Sequence, residues 1–238
     1  MNYAVLLSGG TGTRISSDIP KQYVRAGEYM IVTRALKTLT GSGNIDSVCI
    51  VADPAWREEI DKDIRSCGLD ESRIIGFADP GKTRQGSIYN ALEFILVNKK
   101  DPTLDNAADD TVLIHDAARP MLKQETIAQC YDALPGHDGV MPVLPMKDTV
   151  YYSEDGMEVS KLLDRSRIFA GQVPELFRLM PYHEANKKLL PDDILRINGA
   201  SEPAVMAGMD IVMIPGDEGN FKITTDADMD RFRELAGK

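Results

Sequence analysis

The sequence is short of several features that mark particular classes of protein. Its three cysteines, Cys49, Cys67 and Cys130, have no CxxC spacing, which favours inert thiols in a reducing compartment over disulfides or zinc ligands. No apolar run approaches the roughly 20 residues of a membrane helix, and no signal-peptide pattern is present. The formal net charge of −10 argues against a basic face for nucleic acid or an anionic membrane. We therefore expect a cytoplasmic protein that binds neither.

What the sequence does contain is a regular alternation of apolar, strand-like runs with longer helical patterns. A hydrophobic content of 43% suffices for one large α/β domain over residues 1–238, and no linker or repeat divides it. The alternation predicts a Rossmann-like, mostly parallel twisted sheet with helices on both faces. The predicted strands are 3–7, 46–52, 73–77, 111–115, 139–143 and 210–214, and the predicted helices are 30–39, 54–67, 85–98, 124–134, 176–190, 201–207 and 226–235.

Residues 145–170 break this alternation. Two alternating stretches, 148–153 and 157–163, flank Asp155 and Gly156, and an Asp-Gly pair is a hairpin signal. The insertion is therefore predicted to be a protruding β-hairpin arm. From the pattern alone, an arm that embraces a second subunit and a solvated surface flap both stay open.

A glycine-rich loop follows the first predicted strand. It reads SGGTGTR over residues 8–14, and Lys21 comes seven residues later. Glycines allow backbone N–H groups to approach an anion, and Arg14 and Lys21 can neutralise its charge. Ile15 stands where the dinucleotide fingerprint requires a third glycine, which disfavours a Rossmann oxidoreductase. We interpret the loop as a phosphate site, the alternative being a tight turn without a ligand.

A second loop, GFADPGKT over residues 76–83, matches the P-loop pattern GxxxxGK[ST]. Asp116, after a later strand, could then act as the metal-binding aspartate of a P-loop enzyme. We interpret the match as accidental, because Asp79 adds negative charge to the cradle and Pro80 removes an N–H donor. The stretch 81–87 more plausibly offers small groups to a base or a ribose.

A third cluster, HDAARP over residues 115–120, follows a predicted buried strand, at the position where open α/β sheets bind ligands. Asp116 and Arg119 could hold a metal–phosphate group or a polyol hydroxyl, or they could form a structural ion pair. His115 is interpreted as structural, because no serine or cysteine nucleophile pattern accompanies it. His137 and His183 have no ligand spacing, so we predict no zinc site.

Taken in order, seven segments resemble the family of 2-C-methyl-D-erythritol 4-phosphate cytidylyltransferases and the related ribitol-5-phosphate cytidylyltransferases. These segments are LLSGGTGTR, PKQ, HDAARP, KDT, DR, GQVP and NFKIT, and they span residues 5–224. The resemblance implies a nucleotidyltransferase-type fold and a CTP-dependent transfer of CMP to a polyol phosphate, with release of pyrophosphate. It also implies Mg²⁺ or another divalent cation, a homodimer, and for the methylerythritol branch a role in isoprenoid biosynthesis.

The resemblance also implies roles for individual residues. Stabilisation of charge at the reacting phosphorus and the leaving group is implied for Arg14, Lys21 and Lys222. Nucleotide binding is implied for Ser8, Gly9, Gly10, Thr11, Gly12, Thr13, Gly81, Lys82, Ser87 and Ala117. Acceptor binding is implied for Asp116, Arg119, Lys147, Thr149 and Arg165. The last three lie in or beside the arm, which in the family crosses a dimer interface, and Asp116 is also a candidate metal ligand together with triphosphate oxygens.

Two positions depart from the family pattern on the acceptor side. Val173 and Ile197 stand where the family usually has threonines, and neither side chain can donate a hydrogen bond to a phosphate. The acceptor is expected to be ribitol 5-phosphate, 2-C-methyl-D-erythritol 4-phosphate or a related polyol phosphate. We expect weak or absent activity on methylerythritol phosphate, with a different polyol phosphate preferred, unless Asn198 and Ser201 restore the lost contacts. A nucleotide-binding regulatory protein and a P-loop kinase or NTPase stay open as alternatives.

Overall fold

Strands and helices alternate along the chain, broadly as the hydrophobic pattern predicts. The computed structural model describes residues 1–10, 19–99 and 109–236. In chain order the strands are β1 (Asn2–Leu7), β2 (Arg25–Ala26), β3 (Tyr29–Met30), β4 (Ser47–Val51), β5 (Ile74–Ala78), β6 (Thr111–Asp116), β7 (Gly139–Pro145), β8 (Val150–Tyr152), β9 (Lys161–Leu163), β10 (Phe169–Gly171), β11 (Glu175–Arg178) and β12 (Ile211–Pro215). The helices are α1 (Ile31–Thr40), α2 (Pro54–Ser66), α3 (Arg84–Val97), α4 (Gln124–Ala133), α5 (Leu179–Lys187), α6 (Glu202–Met206) and α7 (Asp226–Ala236).

Eight of the strands form one mixed, mostly parallel sheet. Its order is β10–β7–β11–β6–β1–β4–β5, and β12 pairs with β7. The run β6–β1–β4–β5 is parallel throughout, and so is the β12–β7 pair. Strand β11 runs antiparallel to both β6 and β7, and β10 is antiparallel to β7. The predicted single α/β domain with a mostly parallel sheet is confirmed.

Helices cover both faces of this sheet, because its buried strands have apolar side chains on both sides. On one face, Ala4 and Leu6 of β1 belong to a core cluster with residues of α1, α2 and α4. On the other face, Tyr3 and Val5 of β1 pack in a cluster with residues of α3, α5 and α6. Among the described residues the longest helix is α3, with 14 residues, and no described helix has the length and apolarity that crossing a bilayer demands.

The predicted helix over 176–190 is wrong in its first part. Residues Glu175–Arg178 form β11, and the helix α5 begins only at Leu179. Leu176 aligns with Leu113 of β6 and with Val140 of β7, so this short apolar run fills a gap between two strands. Pairing on both sides overrides the local helical pattern.

The predicted arm is also shorter than the pattern indicates. Its hairpin strands are β8 and β9, which pair with each other in a separate two-stranded sheet. The last part of the 145–170 range is not arm, because β10 pairs with β7 at the edge of the main sheet. The range is therefore a hairpin whose base is continuous with the sheet.

A buried aspartate on α2 anchors the segment that brings Lys21 and Gln22 to the edge of the sheet. The side chain of Asp63 is 1% exposed, forms an ion pair with Arg25, and accepts a 3.0 Å hydrogen bond from the backbone N–H of Met30. Tyr23 stacks on Trp56 of the same helix, with ring centroids 4.6 Å apart. These contacts attach the whole 20–30 segment to α2.

We predict that Asp63→Ala destabilises the protein by ~2 kcal/mol, since it leaves a buried N–H donor and a partly buried guanidinium without their acceptor. Urea unfolding followed by circular dichroism measures the change. Glu58→Ala on the same helix is the control: Glu58 is 82% exposed and pairs with Lys62, so its loss should leave the unfolding midpoint nearly unchanged. Equal unfolding midpoints for the two variants would contradict the anchoring role.

Candidate active site

A cavity of about 450 Å³ opens where β1 and β6 end and α3 begins. The carboxyl edge of parallel strands is the usual ligand site of open α/β sheets. Predicted site residues that line the cavity are Ser8, Gly9, Gly10, Lys21, Gly81, Lys82, Ser87, Asp116 and Lys222. Leu7, Gln22, Thr83, Arg84 and Ala118 also line it and were not among the predicted residues. The structure thus brings together the three predicted clusters, which are the glycine-rich loop, the turn at Gly81 and the segment around Asp116.

The first wall is the start of the glycine-rich loop. The side chain of Gln22 donates hydrogen bonds to the backbone oxygens of Ser8 and Gly10, at 2.6 and 2.5 Å. A Cβ atom on Gly9 would lie 2.6 Å from Cβ of Pro80, so only glycine fits there. Four of the predicted phosphate-site residues, Thr11, Gly12, Thr13 and Arg14, lie outside the described residues.

The second wall is the turn that leads into α3. The backbone N–H of Gly81 donates to Oγ of Ser87 at 3.0 Å, and Thr83 caps the helix by accepting from the N–H of Gly86 at 3.1 Å. A Cβ atom on Gly81 would lie 2.4 Å from the carbonyl carbon of Gly86, which makes this close turn specific for glycine. Asp79, which argued against a P-loop, is exposed and forms an ion pair with Arg57.

The floor is an ion-pair cluster around Asp116. Its Oδ1 accepts from Nη2 of Arg84 at 2.9 Å, and its Oδ2 accepts from Nζ of Lys222 at 2.8 Å. Burial opposes ionisation of Asp116, but the charges of Arg84 and Lys222 outweigh it and hold the pKa of this carboxyl well below its usual range. Both oxygens of Asp116 are thus paired with cations.

The cavity is cationic although the chain is acidic. Of the residues that the structure describes, four with cationic side chains line it, Lys21, Lys82, Arg84 and Lys222, against one carboxylate, that of Asp116. The whole sequence has a net charge of −10. Concentration of positive charge in one cavity of an acidic protein favours a small, highly charged anion as the ligand.

Arg119 and His115 lie behind this floor. Nη1 of Arg119 donates to the backbone oxygen of Asn220 at 2.6 Å, and Nε2 of His115 lies 3.0 Å from the backbone oxygen of Arg119. His115 is fully buried, and burial lowers the pKa of its imidazole to about 4. A neutral, buried imidazole that holds the backbone fits the structural role predicted for it. Ala117 is buried in the core and does not line the cavity.

The predicted acceptor residues of the arm do not reach the cavity within one chain. Lys147 forms an ion pair with Glu218, and Nη1 of Arg165 donates to the backbone oxygen of Lys147 at 2.7 Å. Lys147, Thr149 and Arg165 are all exposed. None of them is among the described residues that line the cavity.

The two departures from the family pattern are core residues. Val173 is 5% exposed, and its backbone oxygen accepts from Nδ2 of Asn220 at 2.8 Å. Ile197 packs with Leu189 and Ile194 in a small apolar cluster. Both side chains are buried in this structure. Neither is therefore an exposed apolar side chain that replaces a threonine at a phosphate-binding surface.

Glu175 is a further buried charge that sequence reasoning missed. It is the first residue of β11 and is 6% exposed, and its Oε2 is buried without a hydrogen-bond partner. Burial raises the pKa of Glu175 to about 7, although the charge of Arg84 acts in the opposite direction. Nothing in the local sequence marks this residue, because its surroundings come from three other parts of the chain.

Arg84, by contrast, could have been found from the sequence. It follows Gly81, Lys82 and Thr83 directly and is the first residue of α3. A cation next to a capped helix start at the carboxyl edge of the sheet is well placed to meet an anionic ligand. Gln22 likewise lies in the PKQ segment, beside the predicted Lys21.

The fold and the cationic cavity define an α/β enzyme of the nucleotidyltransferase class. The model of one such family, described as IspD, 2-C-methyl-D-erythritol 4-phosphate cytidylyltransferase, matches residues 3–234. The chain belongs to this family. Membership favours the cytidylyltransferase over the regulatory protein and the P-loop enzyme that the sequence left open.

Individual relatives agree with this assignment. The chain is 32% identical over 232 residues to a bifunctional IspD/IspF enzyme of Maricaulis maris, covering 96% of the chain and 55% of that protein. It is 30% identical over 233 residues to the 2-C-methyl-D-erythritol 4-phosphate cytidylyltransferase of Roseobacter denitrificans, covering 96% and 93%. The chain thus spans about half the length of the bifunctional relative and nearly all of the other.

The fold has close counterparts among solved structures. The 4-diphosphocytidyl-2C-methyl-D-erythritol synthase of Anaerococcus prevotii superposes with a TM-score of 0.82 at 21% identity, covering 100% of this chain and 96% of the other. At that level of identity the likeness concerns the fold.

We predict that the pH dependence of stability changes in Glu175→Gln. Between the usual glutamate pKa of 4.5 and about 7, the unfolded chain releases the proton that native Glu175 keeps, so stability falls as pH rises through this window. A shift of this size corresponds to a loss of ~3 kcal/mol relative to the Gln variant. Urea unfolding of both proteins from pH 4.5 to 8 measures the difference, and parallel stability curves would rule out a buried, titrating Glu175.

Proposed function

We propose that this protein transfers CMP from CTP to the phosphate of 2-C-methyl-D-erythritol 4-phosphate and releases pyrophosphate. The observation that carries the proposal is the cavity with four cationic side chains at the carboxyl edge of the sheet, in a chain that belongs to this family over nearly its full length. Its volume of about 450 Å³ lies within the range of small-molecule sites.

In the proposed reaction an oxygen of the acceptor phosphate attacks the α-phosphorus of CTP. A new P–O bond forms, the bond between the α-phosphorus and the bridging oxygen breaks, and pyrophosphate leaves with that electron pair. The acceptor phosphate is already ionised near neutral pH, so the protein needs no nucleophile of its own. Its task is to position two anions and to offset the charge that develops between them.

Each group of predicted site residues is assigned a role in the proposed reaction. Lys21 and Lys222 line the cavity and, with Arg14, stabilise the charge on the reacting phosphorus and on pyrophosphate. The loop from Ser8 to Thr13 holds the triphosphate. The tight turn of Gly81, Lys82 and Ser87 faces the base and the ribose, since all three residues line the cavity.

The divalent cation is proposed to enter as part of the substrate, bound to the triphosphate of CTP. No group of three or more histidine, cysteine, aspartate or glutamate residues in the described ranges is arranged to hold a metal ion. The Asp116 oxygens are engaged by Arg84 and Lys222. Asp116 therefore stays a candidate ligand only together with the triphosphate oxygens, and no step is routed through a resident metal ion.

Methylerythritol phosphate is the proposed acceptor, against the weak activity expected from the sequence. That expectation rested on Val173 and Ile197 as lost phosphate ligands, but both side chains are buried, and Ile197 packs in an apolar cluster. Relatives along the full length of the chain carry the name of this acceptor. Asp116 and Arg119 are proposed to lie on the acceptor side of the cavity.

The arm is proposed to join two copies of the chain in a homodimer and to deliver Lys147, Thr149 and Arg165 to the acceptor side of the partner's cavity. Its apolar side chains Tyr151, Leu162 and Met157 are 57%, 61% and 87% exposed. An apolar surface of this kind on a protruding hairpin is typical of a segment that packs on another protein. We also propose a reducing, cytoplasmic location, which the three free cysteines support.

Release of pyrophosphate with CTP and Mg²⁺ tests the function. We expect methylerythritol phosphate to support turnover with kcat/KM of ~10⁴ M⁻¹s⁻¹ or above, and ribitol 5-phosphate to be much poorer. Lys21→Ala should lower kcat by ~10²-fold or more, because it removes charge stabilisation at the reacting phosphorus. Lys82→Ala is the matched control and should lose far less. Loss of activity in Lys82→Ala alone, with a preference for ATP, would instead support a P-loop enzyme.

Sedimentation tests the arm. At micromolar concentration we expect the protein to be a dimer and Leu162→Glu to shift it towards monomer, since a charge would be buried in the interface. Val97→Glu is the control, because Val97 is 81% exposed at the end of α3 and lies outside the arm. A monomeric wild-type protein would refute the proposed arm exchange.

A further inference from the structure

Glu175 lies beside the ion-pair cluster of the cavity floor. Strand β11 runs antiparallel to β6, so its first residue lies next to the last residues of β6, and Glu175 aligns with Ile114. Aligned residues share a face of the sheet, and so do residues two apart in a strand. Glu175 and Asp116 are therefore on the same face, and this face also carries α3 with Arg84 at its start.

The charged and titratable groups around Glu175 come from several elements. Arg84 comes from α3, Asp116 and Arg119 from the end of β6 and the turn after it, and Tyr182 from α5. Ser201, which precedes α6, interacts with the carboxyl group through its hydroxyl. The guanidinium of Arg84 thus interacts with two carboxylates. It donates hydrogen bonds directly to Asp116, and Glu175 acts on it through its charge.

The hydrogen bonding of the groups around Glu175 is incomplete. Oε2 of Glu175 and Nε of Arg119 are both buried without a partner. A buried carboxylate with a free oxygen costs stability, because burial removes its water without supplying a substitute.

We propose that Glu175, buried beside the Arg84–Asp116 ion pair, acts on Arg84 through its charge, and that its charge state sets how strongly the cavity holds a nucleoside triphosphate. This inference deepens the proposed function and rests on it. When Glu175 is protonated, Arg84 is left to Asp116 and to the anionic ligand. When Glu175 is ionised, it attracts Arg84 and adds negative charge behind the triphosphate site.

Two consequences distinguish this role from a structural one. Affinity for CTP falls as the pH rises through the titration of Glu175, which burial places near neutral pH. By linkage, binding of CTP near pH 7 then draws a proton onto Glu175. The effect belongs to binding, so it changes KM for CTP and leaves kcat nearly constant.

Titration calorimetry with CTP and Mg²⁺, in buffers of different ionisation enthalpy, measures the protons taken up. At pH 7 we expect wild type to take up roughly 0.5 proton more than Glu175→Gln, in which the carboxyl is replaced by an amide of the same shape. Protonation of CTP itself contributes equally to both proteins and cancels. Between pH 6 and pH 8 the Kd for CTP should rise roughly 3-fold to 10-fold more in wild type than in the variant.

A second variant keeps the carboxyl group and shifts its titration. Interaction with Ser201 favours the ionised form of Glu175, so Ser201→Ala should move the midpoint of the Kd profile to higher pH. This profile decides the question if Glu175→Gln does not fold.

The outcomes separate the inference from the proposed function. CTP binding with the same proton uptake in wild type and Glu175→Gln, or an unmoved midpoint in Ser201→Ala, overturns the inference and leaves the transferase intact. A lower kcat at unchanged KM for CTP in Glu175→Gln also overturns it. Absence of CTP binding in wild type overturns both.

Discussion

The cavity depends on one buried carboxylate. Asp116 ends β6 and holds Arg84, at the start of α3, and Lys222, more than a hundred residues further along the chain. Two cations brought together without it would repel each other, and the low dielectric of a buried floor strengthens that repulsion. With Asp116 between them the cluster is stable in the free protein, and the neighbouring lysines still leave the cavity positive. An acidic chain can in this way bind a highly charged anion.

Sheet topology decides which residues meet at this carboxylate. Parallel β1 and β6 are neighbours, so the glycine loop after one and Asp116 after the other emerge at the same edge. Antiparallel β11 starts where β6 ends and therefore brings the beginning of a strand, Glu175, to that edge. The same pairing explains why a local helical pattern after residue 175 was misleading. A strand held between β6 and β7 gains more from its two ladders than from its own propensity.

The candidate site could be predicted in part. The glycine loop, Lys21, the turn at Gly81 and the segment around Asp116 each have a local signature, and the cavity unites them. The residues on the acceptor side were harder to predict from the sequence. The sequence predicts Val173 and Ile197 to be lost ligands, whereas the structure buries both side chains. Alignment with a motif says which residue stands at a position, but the direction of its side chain depends on neighbours from other segments.

By itself the sequence determined the α/β class, the two-sided core and the hairpin, because these follow from periodicity and from residues adjacent in the chain. Only the tertiary structure decided that β11 is a strand, that Arg84 and Lys222 share Asp116, and that Glu175 is buried behind them. The physical reason is common to all three. Strand pairing, ion pairing and desolvation depend on distances between segments remote in sequence, and those distances exist only once the sheet has formed.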